Sequence, residues 1–433
     1  MNSVKVAFHT LGCKLNFAET STLIRRFREH GYQIIDFDKE ADIYVIHTCS
    51  VTSVAEKKSR AAIYQAHRRN PKASIAVIGC YPELEAERLK EISGVKWVLG
   101  NQEKFQIADL ISHDFSAKHE VSVASAETAE NLQEFYPAYS SGDRTRSFLK
   151  IQDGCDHFCS YCSIPYSRGR SRSSSIQDTL QWARKAAAEG VKEIVLTGVN
   201  IGDFGRKNGE SLFDLLRCFD KERIVERVRL SSIEPELLSK EIIRLVADSQ
   251  VLMPHFHIPL QSGSNTILKR MKRKYTTEVF ESRVRYIKQL MPYACIACDV
   301  IVGFPGETDE LFEETYQFIE DLPISYLHVF SYSQRANTLA LKFTDEVPPL
   351  IKHSRSQILH QCSAIKLDQF YNFCQHHYVN VLFESENTEG MMSGYSENYI
   401  RVKTPFREDF VNRIIHLPLE QRNIAGDYVY YPQ

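Results

Sequence analysis

The first 111 residues alternate short apolar segments with amphipathic ones, and this alternation constrains the fold more than any other feature of the chain. Strands are predicted at 5–11, 42–48 and 74–80, and helices at 16–31, 53–69 and 82–92. Asn16, with Glu19 three residues later, resembles a capping box, and Gly31 suits the C-terminal end of the first helix. Repeated β-α units predict a parallel sheet covered by helices. We therefore expect a Rossmann-like domain over residues 1–111.

A cysteine stands just beyond each of these three strands: Cys13, Cys49 and Cys80. In parallel open sheets the carboxyl ends of the strands share one edge, where ligands gather. Three thiols that are distant in sequence would therefore converge. Three separately buried thiols are the alternative, because cysteine is often buried. Since all three stand at equivalent strand ends, we favour a shared ligand site.

The middle of the chain repeats the strand–helix alternation. Residues 112–142 are polar without a sustained period, which predicts a linker. Within 143–372, strands are predicted at 147–153, 193–199, 227–233, 255–261, 297–304 and 326–333. A closed eight-fold barrel typically needs about 250 residues. Six units therefore indicate an open, partial (β/α)6 barrel of the TIM type, with its chemistry at the C-terminal ends of the strands.

The last region, residues 373–433, has a different character. Its segments are short, aromatic and β-branched, and they are broken by Gly, Asn and Pro. This pattern predicts a small antiparallel β-barrel. Such barrels often bind oligonucleotides, but acidic residues outnumber basic ones here, so charge alone does not indicate RNA binding.

Composition limits the compartment more than the function. With 43% apolar and 25% charged residues, the chain is typical of soluble globular proteins, and 433 residues exceed one ordinary core. No apolar run approaches a membrane span, and the N-terminus lacks the regions of a signal peptide. We therefore expect a cytoplasmic protein. Eleven cysteines in a reducing compartment suggest metal ligands or buried thiols.

Residues 153–172 read DGCDHFCSYCSIPYSRGRSR and place Cys155, Cys159 and Cys162 in one loop after the first predicted barrel strand. A structural zinc site uses four protein ligands. An iron–sulfur cluster held by three thiolates keeps one iron open for another ligand. Zinc or inert thiols are the alternatives, and we favour the cluster because the loop sits at the predicted mouth of the barrel.

This spacing resembles the radical S-adenosylmethionine enzymes, in which the open iron binds the amino and carboxylate groups of S-adenosylmethionine. The N-terminal three-cysteine domain and the C-terminal segment further resemble the methylthiotransferases, whose last domain is the OB-like, RNA-binding TRAM barrel. The resemblance covers essentially the whole chain and implies two 4Fe–4S clusters, each with three cysteine ligands. The C-x3-C-x2-C loop would hold the radical cluster, and Cys13, Cys49 and Cys80 would hold the auxiliary cluster.

Three substrate classes are usual in that family: isopentenyladenosine in tRNA, threonylcarbamoyladenosine in tRNA, and an aspartate of a ribosomal protein. The segments that resemble the threonylcarbamoyladenosine subgroup are FHTLGCKLNFAET, LKIQDGCDHFCSYC, YSRGRSRS and CDVIVGFPGET. Lys14 and Leu15 follow the first cysteine, where isopentenyladenosine enzymes usually show Gln-Met and ribosomal-protein enzymes Pro-Lys. Asn337 and Leu339 stand where the family commonly has Gly and Pro. Asparagine tolerates left-handed geometry, so we expect the turn to survive.

The implied reaction adds a methylthio group to C2 of the modified adenosine at position 37, in the anticodon loop of tRNA. One S-adenosylmethionine would methylate a sulfur on the auxiliary cluster, and a second would give the radical that removes the C2 hydrogen. A flavodoxin- or ferredoxin-like electron donor and a sulfur source are implied, and we expect a monomer with no membrane partner. The alternatives are the other two substrates, a radical enzyme whose N-terminal domain binds a corrinoid, and a non-catalytic RNA-binding metalloprotein.

Four further residues are candidates for the S-adenosylmethionine pocket. By resemblance, Tyr161 would pack near the adenine, with an ordinary core tyrosine as the alternative. Gly198, Gln261 and Glu307 stand at or just beyond barrel strand ends, although Glu307 is as well explained as a cap for the helix near Thr308.

Arg168, Arg170 and Arg172 lie just past the cysteine loop. We predict that they bind phosphates of the anticodon loop, because Arg144, Arg146 and Lys150 add charge to the same region. Arginines that coat the barrel rim are the alternative.

Overall fold

The computed structural model describes residues 3–50, 52–113, 132, 134–140 and 145–432. Most of the predicted linker, residues 112–142, and Arg144 lie outside this described part. The chain forms two compact units. The first contains Met1–Ser140, Phe148–Ser174 and Ser333–Lys342, and the second contains the remainder.

The first unit is built on a five-stranded parallel sheet, as the alternation of strands and helices predicts. Its strands are β1 (Lys5–Thr10), β2 (Gln33–Ile35), β3 (Ile43–Thr48), β4 (Ser74–Gly79) and β5 (Val95–Leu99), in the order β2-β1-β3-β4-β5. Its helices are α1 (Lys14–Glu29), α2 (Ser53–Arg69), α3 (Cys80–Lys90) and α4 (Ile107–His113). The sequence reading missed β2 and β5, which are the two edge strands.

Successive strand residues bury opposite faces of this sheet, which explains why helices cover both sides. On one face, Val45 packs with Phe27 of α1 and Ile107 of α4. On the other face, Ile46 packs with Ile63 of α2. The carboxyl ends of β1, β3 and β4 therefore meet at one edge, between two helical layers.

The predicted capping box of α1 is wrong. The helix begins at Lys14 with Cys13 as its N-cap, and no side chain caps it. Asn16 and Glu19 lie inside the helix and are buried. Their polar groups bind distant residues instead, because this turn of α1 faces the carboxyl edge of the sheet.

The later segments of the first unit add short elements. These are β6 (Ala138–Tyr139), β7 (Arg146–Lys150, whose first two residues belong to the second unit), β8 (Gln152–Asp153), α5 (Ile164–Arg168) and β9 (Arg172–Ser173). β6 pairs with β7 and β8 pairs with β9, both antiparallel. A short 3-10 helix, Leu339–Lys342, completes the unit.

The second unit continues the predicted strand–helix alternation. Its parallel strands are β10 (Glu193–Thr197), β11 (Arg227–Leu230), β12 (His255–Gln261), β13 (Cys295–Val302) and β14 (Tyr326–Ser331). Its helices are α6 (Ile176–Ala188), α7 (Leu212–Glu222), α8 (Lys240–Asp248), α9 (Asn265–Arg270), α10 (Thr277–Leu290), α11 (Asp309–Asp321) and α12 (Pro349–Phe373). These parallel strands with helical connections confirm the α/β class. None of the helices in the described part is long and apolar enough to cross a bilayer.

A six-stranded, mainly antiparallel sheet ends the chain. Its strands are β15 (Tyr378–Phe383), β16 (Met391–Ser396), β17 (Arg401–Pro405), β18 (Ile414–Pro418), β19 (Gln421–Arg422) and β20 (Tyr428–Val429), in the order β18-β15-β16-β17-β20-β19. Alternate residues of β16 and β17 are buried. This matches the predicted antiparallel architecture, although β18 and β19 were missed and β17 pairs parallel with β20.

Candidate metal centres of the first unit

Two of the three cysteines of the sheet edge, Cys13 and Cys49, follow loops that the buried Asn16 side chain connects. The Asn16 amide donates hydrogen bonds to the backbone oxygens of Leu11, at 2.7 Å, and Thr48, at 3.1 Å, just before Cys13 and Cys49. A Cβ at Gly12 would lie 2.8 Å from Cβ and 3.2 Å from Sγ of Cys49. Only glycine therefore lets these two loops approach so closely.

A second asparagine contacts the third cysteine. Cys80 opens α3, and its Sγ accepts a hydrogen bond from Asn101 Nδ2 at 3.6 Å. The same amide nitrogen donates to the backbone oxygen of Ser167 at 2.6 Å. Asn101 thus connects the cysteine site of the sheet edge to the helix that follows the C-x3-C-x2-C loop.

Glu19 is the centre of a buried charge network beside these cysteines. Its carboxylate accepts from Lys104 at 2.6 Å, Lys150 at 2.7 Å and Arg168 at 3.2 Å. Arg168 also donates to Asn16 Oδ1 at 2.7 Å, and Cys13 Sγ lies 3.7 Å from the same oxygen. Arg168 and Cys13 therefore contact the same oxygen atom of Asn16.

Asp153 is the second carboxylate of this network. It pairs with Lys150 at 2.6 Å, Arg168 at 2.9 Å and Arg172 at 3.2 Å. Asp153 stands two residues before the first cysteine of the C-x3-C-x2-C loop. Arg168 consequently joins the surroundings of both cysteine trios through a single guanidinium group.

The pKa shifts show how strongly these charges interact. Burial alone would raise the pKa of Glu19, but Arg168, Lys104 and Lys150 hold it well below its usual range. Burial would lower the pKa of Arg168, but Cys80, Glu19, Asp153 and Cys13 raise it well above its ordinary value. Two thiols of the sheet edge therefore act on the same guanidinium group.

These residues fit an anionic iron–sulfur cluster on Cys13, Cys49 and Cys80. Buried cations outnumber the carboxylates that they pair with: Lys104, Lys150, Arg168 and Arg172 form ion pairs with Glu19 and Asp153. The nearby buried carboxyl group of Glu83 accepts from the Asn101 N–H instead, and burial raises its pKa to about 8. Uncompensated buried charge is costly, and three thiolates or the cluster they hold would supply the missing negative charge. Among the described residues, Ser50 Oγ beside Cys49 is buried without a hydrogen-bond partner, which leaves a donor for a bound group.

The C-x3-C-x2-C loop folds back on itself. The Cys155 N–H donates to Gly169 O at 3.0 Å, and the Cys162 N–H donates to Cys159 O at 3.1 Å. A Cβ at Gly154 would overlap the backbone carbonyl of Arg170, and this glycine has φ +69°. The loop thus presents its three thiols from a compact turn, as a three-thiolate cluster requires.

The segment that contains Asn337 contacts the backbone next to Cys49 and within the C-x3-C-x2-C loop. The Ala340 N–H donates to Ser160 O at 2.8 Å, within the C-x3-C-x2-C loop. Buried Arg335 donates to Ser50 O at 3.4 Å, next to Cys49, and pairs with Glu56 at 2.5 Å. Asn337 has φ +63°, so the predicted left-handed turn is confirmed.

Two of the three arginines predicted to bind phosphate are buried. Arg168 is 1% exposed and Arg172 is 8% exposed, and both pair with Asp153. They are therefore not available to an RNA backbone, and neither is buried Lys150. Arg170 is exposed, with its guanidinium 4.4 Å from the ring centre of Phe158.

Arg146 also differs from the prediction. In the second unit it pairs with Glu384 at 2.9 Å, and its guanidinium lies 4.8 Å from the ring centre of Tyr395. Its charge is therefore already compensated within the protein.

The candidates for S-adenosylmethionine contact are placed in different units. Tyr161 is half-buried in the turn before Cys162. In the second unit, Gly198 directly follows β10, and Gln261 ends β12 with φ +63°.

Glu307 holds the loop before α11. Its buried carboxylate accepts from the Gly303 N–H at 2.8 Å and from Arg355 at 2.7 Å. Thr308 caps α11 with its own hydroxyl, so the capping alternative for Glu307 is wrong. Contact of Glu307 with S-adenosylmethionine stays a prediction.

The sequence reading missed the network residues Glu19, Lys104, Asn101 and Asp153. Only Lys150 carried a local signal, because a lysine between Leu149 and Ile151 interrupts an apolar strand. The others stand in ordinary polar surroundings, and their partners are far away in sequence.

Comparisons with known proteins agree with this arrangement. The model of the radical SAM superfamily matches residues 149–319, and that of the uncharacterized protein family UPF0004 matches residues 5–100. A radical S-adenosylmethionine methyltransferase, TsrM from Kitasatospora setae, shares the fold with a TM-score of 0.57 and 15% identity, covering 76% of this chain and 73% of that one. The parallel α/β fold and the cysteine loop are therefore those of a radical S-adenosylmethionine enzyme.

Full-length relatives narrow the class. The threonylcarbamoyladenosine tRNA methylthiotransferase MtaB of Bacillus subtilis is 38% identical, over 96% of this chain and 93% of that protein. The enzyme of the same name from Aquifex aeolicus is 38% identical, over 92% and 96%. The tRNA-2-methylthio-N(6)-dimethylallyladenosine synthase of B. subtilis is 31% identical, over 96% and 84%. The chain belongs to the family of radical SAM tRNA methylthiotransferases.

Proposed function

We propose that this enzyme adds a methylthio group to C2 of N6-threonylcarbamoyladenosine at position 37 of tRNA. The observation that carries the substrate is the similarity to the MtaB enzymes at 38% identity, against 31% for the dimethylallyladenosine synthase. Lys14 and Leu15 after the first cysteine support the same subgroup. Membership of an enzyme family argues against a non-catalytic metalloprotein.

The proposal includes two 4Fe–4S clusters. Cys155, Cys159 and Cys162 would hold one, and the three cysteines of the sheet edge would hold the other. With S-adenosylmethionine, the first would supply a radical able to remove the C2 hydrogen, which side-chain acids and bases do not do at neutral pH. Two S-adenosylmethionine molecules per turnover are part of the proposal.

The first unit supports this assignment because it contains both cysteine trios. Arg168 bonds Asn16 beside the auxiliary site and Asp153 beside the radical loop, so it would fix the environment of both clusters. Tyr161, Gly198, Gln261 and Glu307 remain our candidates for S-adenosylmethionine contact.

Several partners complete the proposal. The C-terminal sheet would be an OB-like TRAM domain that binds the tRNA anticodon loop, and Arg170 is the remaining arginine candidate for a phosphate contact. A flavodoxin- or ferredoxin-like donor would supply electrons, and a separate source would supply sulfur. We propose a cytoplasmic monomer, because its tRNA substrate resides in the cytoplasm.

Mass spectrometry of tRNA nucleosides tests the substrate. Cells that lack the protein should lose 2-methylthio-N6-threonylcarbamoyladenosine and accumulate its precursor without the methylthio group. The wild-type gene should restore the product, and a Cys49→Ala gene should not, because the auxiliary site would lose one of its three ligands.

Other outcomes identify the alternatives. Loss of the methylthiolated isopentenyladenosine would move the enzyme to the other tRNA substrate. Loss of methylthiolation from a ribosomal protein would move it away from RNA. Iron corresponding to a single 4Fe–4S cluster in anaerobically reconstituted protein would contradict the two-cluster assignment.

A further inference from the structure

Lys104 is buried next to the auxiliary cysteines with all three of its donors in use. Its ammonium donates to Glu19 at 2.6 Å, to Asn101 Oδ1 at 2.8 Å and to His47 Nε2 at 3.4 Å. A lysine ammonium has three protons to donate. The ammonium is therefore fixed in position. These three contacts also offset the cost of burying its charge.

The Asn101 amide connects this ammonium to a thiol. Its oxygen accepts from Lys104, and its nitrogen therefore points toward Cys80 Sγ, at 3.6 Å, and Ser167 O. The amide cannot flip without placing its NH2 group against the ammonium. Lys104 thus holds Asn101 as an N–H donor to the sulfur of Cys80.

Other charged groups also surround Asn101. Its backbone N–H donates to the buried carboxyl group of Glu83 at 2.5 Å. Glu19 accepts from Lys104 at 2.6 Å and from Arg168 at 3.2 Å.

We propose that Asn101 and Lys104 are positioning residues that raise the reduction potential of the auxiliary cluster on Cys13, Cys49 and Cys80. The inference rests on the proposed function, because it requires a cluster at that site. The inference goes beyond the proposed function because it assigns a role to two residues that are not cluster ligands.

The physical basis is the charge of the two redox states. Reduction by one electron makes a cluster more negative. Hydrogen bonds to ligand sulfurs and nearby positive charges stabilise the more negative state and so raise the potential. Among the described residues that form ion pairs here, four cations pair with two carboxylates, and the side-chain N–H of Asn101 donates to a ligand sulfur.

The experiment isolates the auxiliary cluster in the full-length chain. Replacing Cys155, Cys159 and Cys162 together by alanine removes the radical cluster, and anaerobic reconstitution then loads the remaining site. A redox titration followed by electron paramagnetic resonance gives its midpoint potential. The variants Lys104→Met and Asn101→Ala are made in this background and should both lower that potential.

Glu19→Gln provides the decisive comparison, because it removes a negative charge from the same contact. We expect it to raise the potential, whereas Lys104→Met lowers it. A merely structural role would disturb the site in both variants and move the potential in the same direction. Lys104→Arg should keep the potential close to that of the background protein. Lys90→Met serves as the surface control, because the half-buried Lys90 side chain pairs with exposed Glu87.

The outcomes separate the two levels of the proposal. If the background protein binds a cluster but Lys104→Met and Asn101→Ala leave its potential within that of the Lys90→Met control, the inference is wrong and the proposed function stands. If Lys104→Met and Glu19→Gln shift the potential in the same direction, the electrostatic account is equally wrong. If the background protein binds no cluster, the two-cluster proposal fails and the inference falls with it.

Discussion

Replacing Arg168 by methionine tests whether the buried network holds the first unit together. The substitution keeps much of the volume but removes the guanidinium that pairs with Glu19 at 3.2 Å and Asp153 at 2.9 Å and donates to Asn16 at 2.7 Å. Both carboxylates keep other cations, so neither becomes an isolated charge.

The expected cost follows from the depth of the site. Removing one partner of a buried ion pair costs about 3–5 kcal/mol when the other charge is left uncompensated, a large fraction of the roughly 5–15 kcal/mol that stabilises a typical protein. This cost is the upper limit here, because Glu19 and Asp153 keep other cations. For a unit of this size, each kcal/mol lowers the melting temperature by about 2–4 °C. We therefore expect a decrease of up to roughly 20 °C.

Differential scanning calorimetry of cluster-free and reconstituted protein measures this decrease. Arg170→Met is a matched control, two residues away in the same segment. Its side chain is 51% exposed and its contact with Asp156 is 3.7 Å long, so we expect a change below about 1 kcal/mol. Equal melting temperatures for the two variants would refute the view that burial of Arg168 stabilises the fold.

Three further expectations concern single residues. Burial, together with Glu103, raises the pKa of Glu83 from 4.5 to about 8, although the hydrogen bond from the Asn101 N–H acts in the opposite direction. The folded state therefore favours the protonated acid. Up to about 5 kcal/mol of folding stability is lost as the pH rises from 4.5 through 8. The melting temperature of wild-type protein should accordingly fall as the pH rises from about 4.5 to about 8 and change little above that from this group, and a Glu83→Gln variant that falls as steeply would contradict this assignment. Arg170→Ala should weaken tRNA binding and reduce its salt dependence by about one phosphate contact, measured by filter binding at several salt concentrations, and an unchanged salt slope would remove Arg170 from the RNA surface. Gly154→Ala should displace the Arg170 carbonyl, and the reconstituted variant should lack the iron of one 4Fe–4S cluster. Full iron content with normal absorbance would show that the loop accommodates a Cβ.

The sheet edge could be predicted from sequence because its logic is local. A cysteine directly after an apolar strand in a repeated β-α pattern lies at the carboxyl edge of the sheet, and Cys13, Cys49 and Cys80 follow β1, β3 and β4 of one parallel sheet. The turn at Asn337 was likewise predictable, because asparagine tolerates positive φ. Edge strands β2 and β5 were not, since three to five residues carry too little periodicity.

The charge network escaped prediction for a different physical reason. Charged side chains are mostly exposed unless they are paired, and nothing in residues 168–172 reveals that Glu19 lies 149 positions away. The same default led to phosphate binding for Arg168 and Arg172. Burial of a charge depends on a partner from a distant segment, and a single sequence does not contain that pairing.

The network also has a consequence for how the chain is made. Glu19 and Lys104 leave the ribosome well before Arg168, and Arg335 of the same unit follows much later. During synthesis the buried charge network of the N-terminal sheet therefore stays incomplete until the segments that contain Arg168 and Arg335 have been made and pack against it. Premature termination before residue 150 would release a fragment in which Glu19 lacks Lys150 and Arg168, which makes it a natural target for proteases.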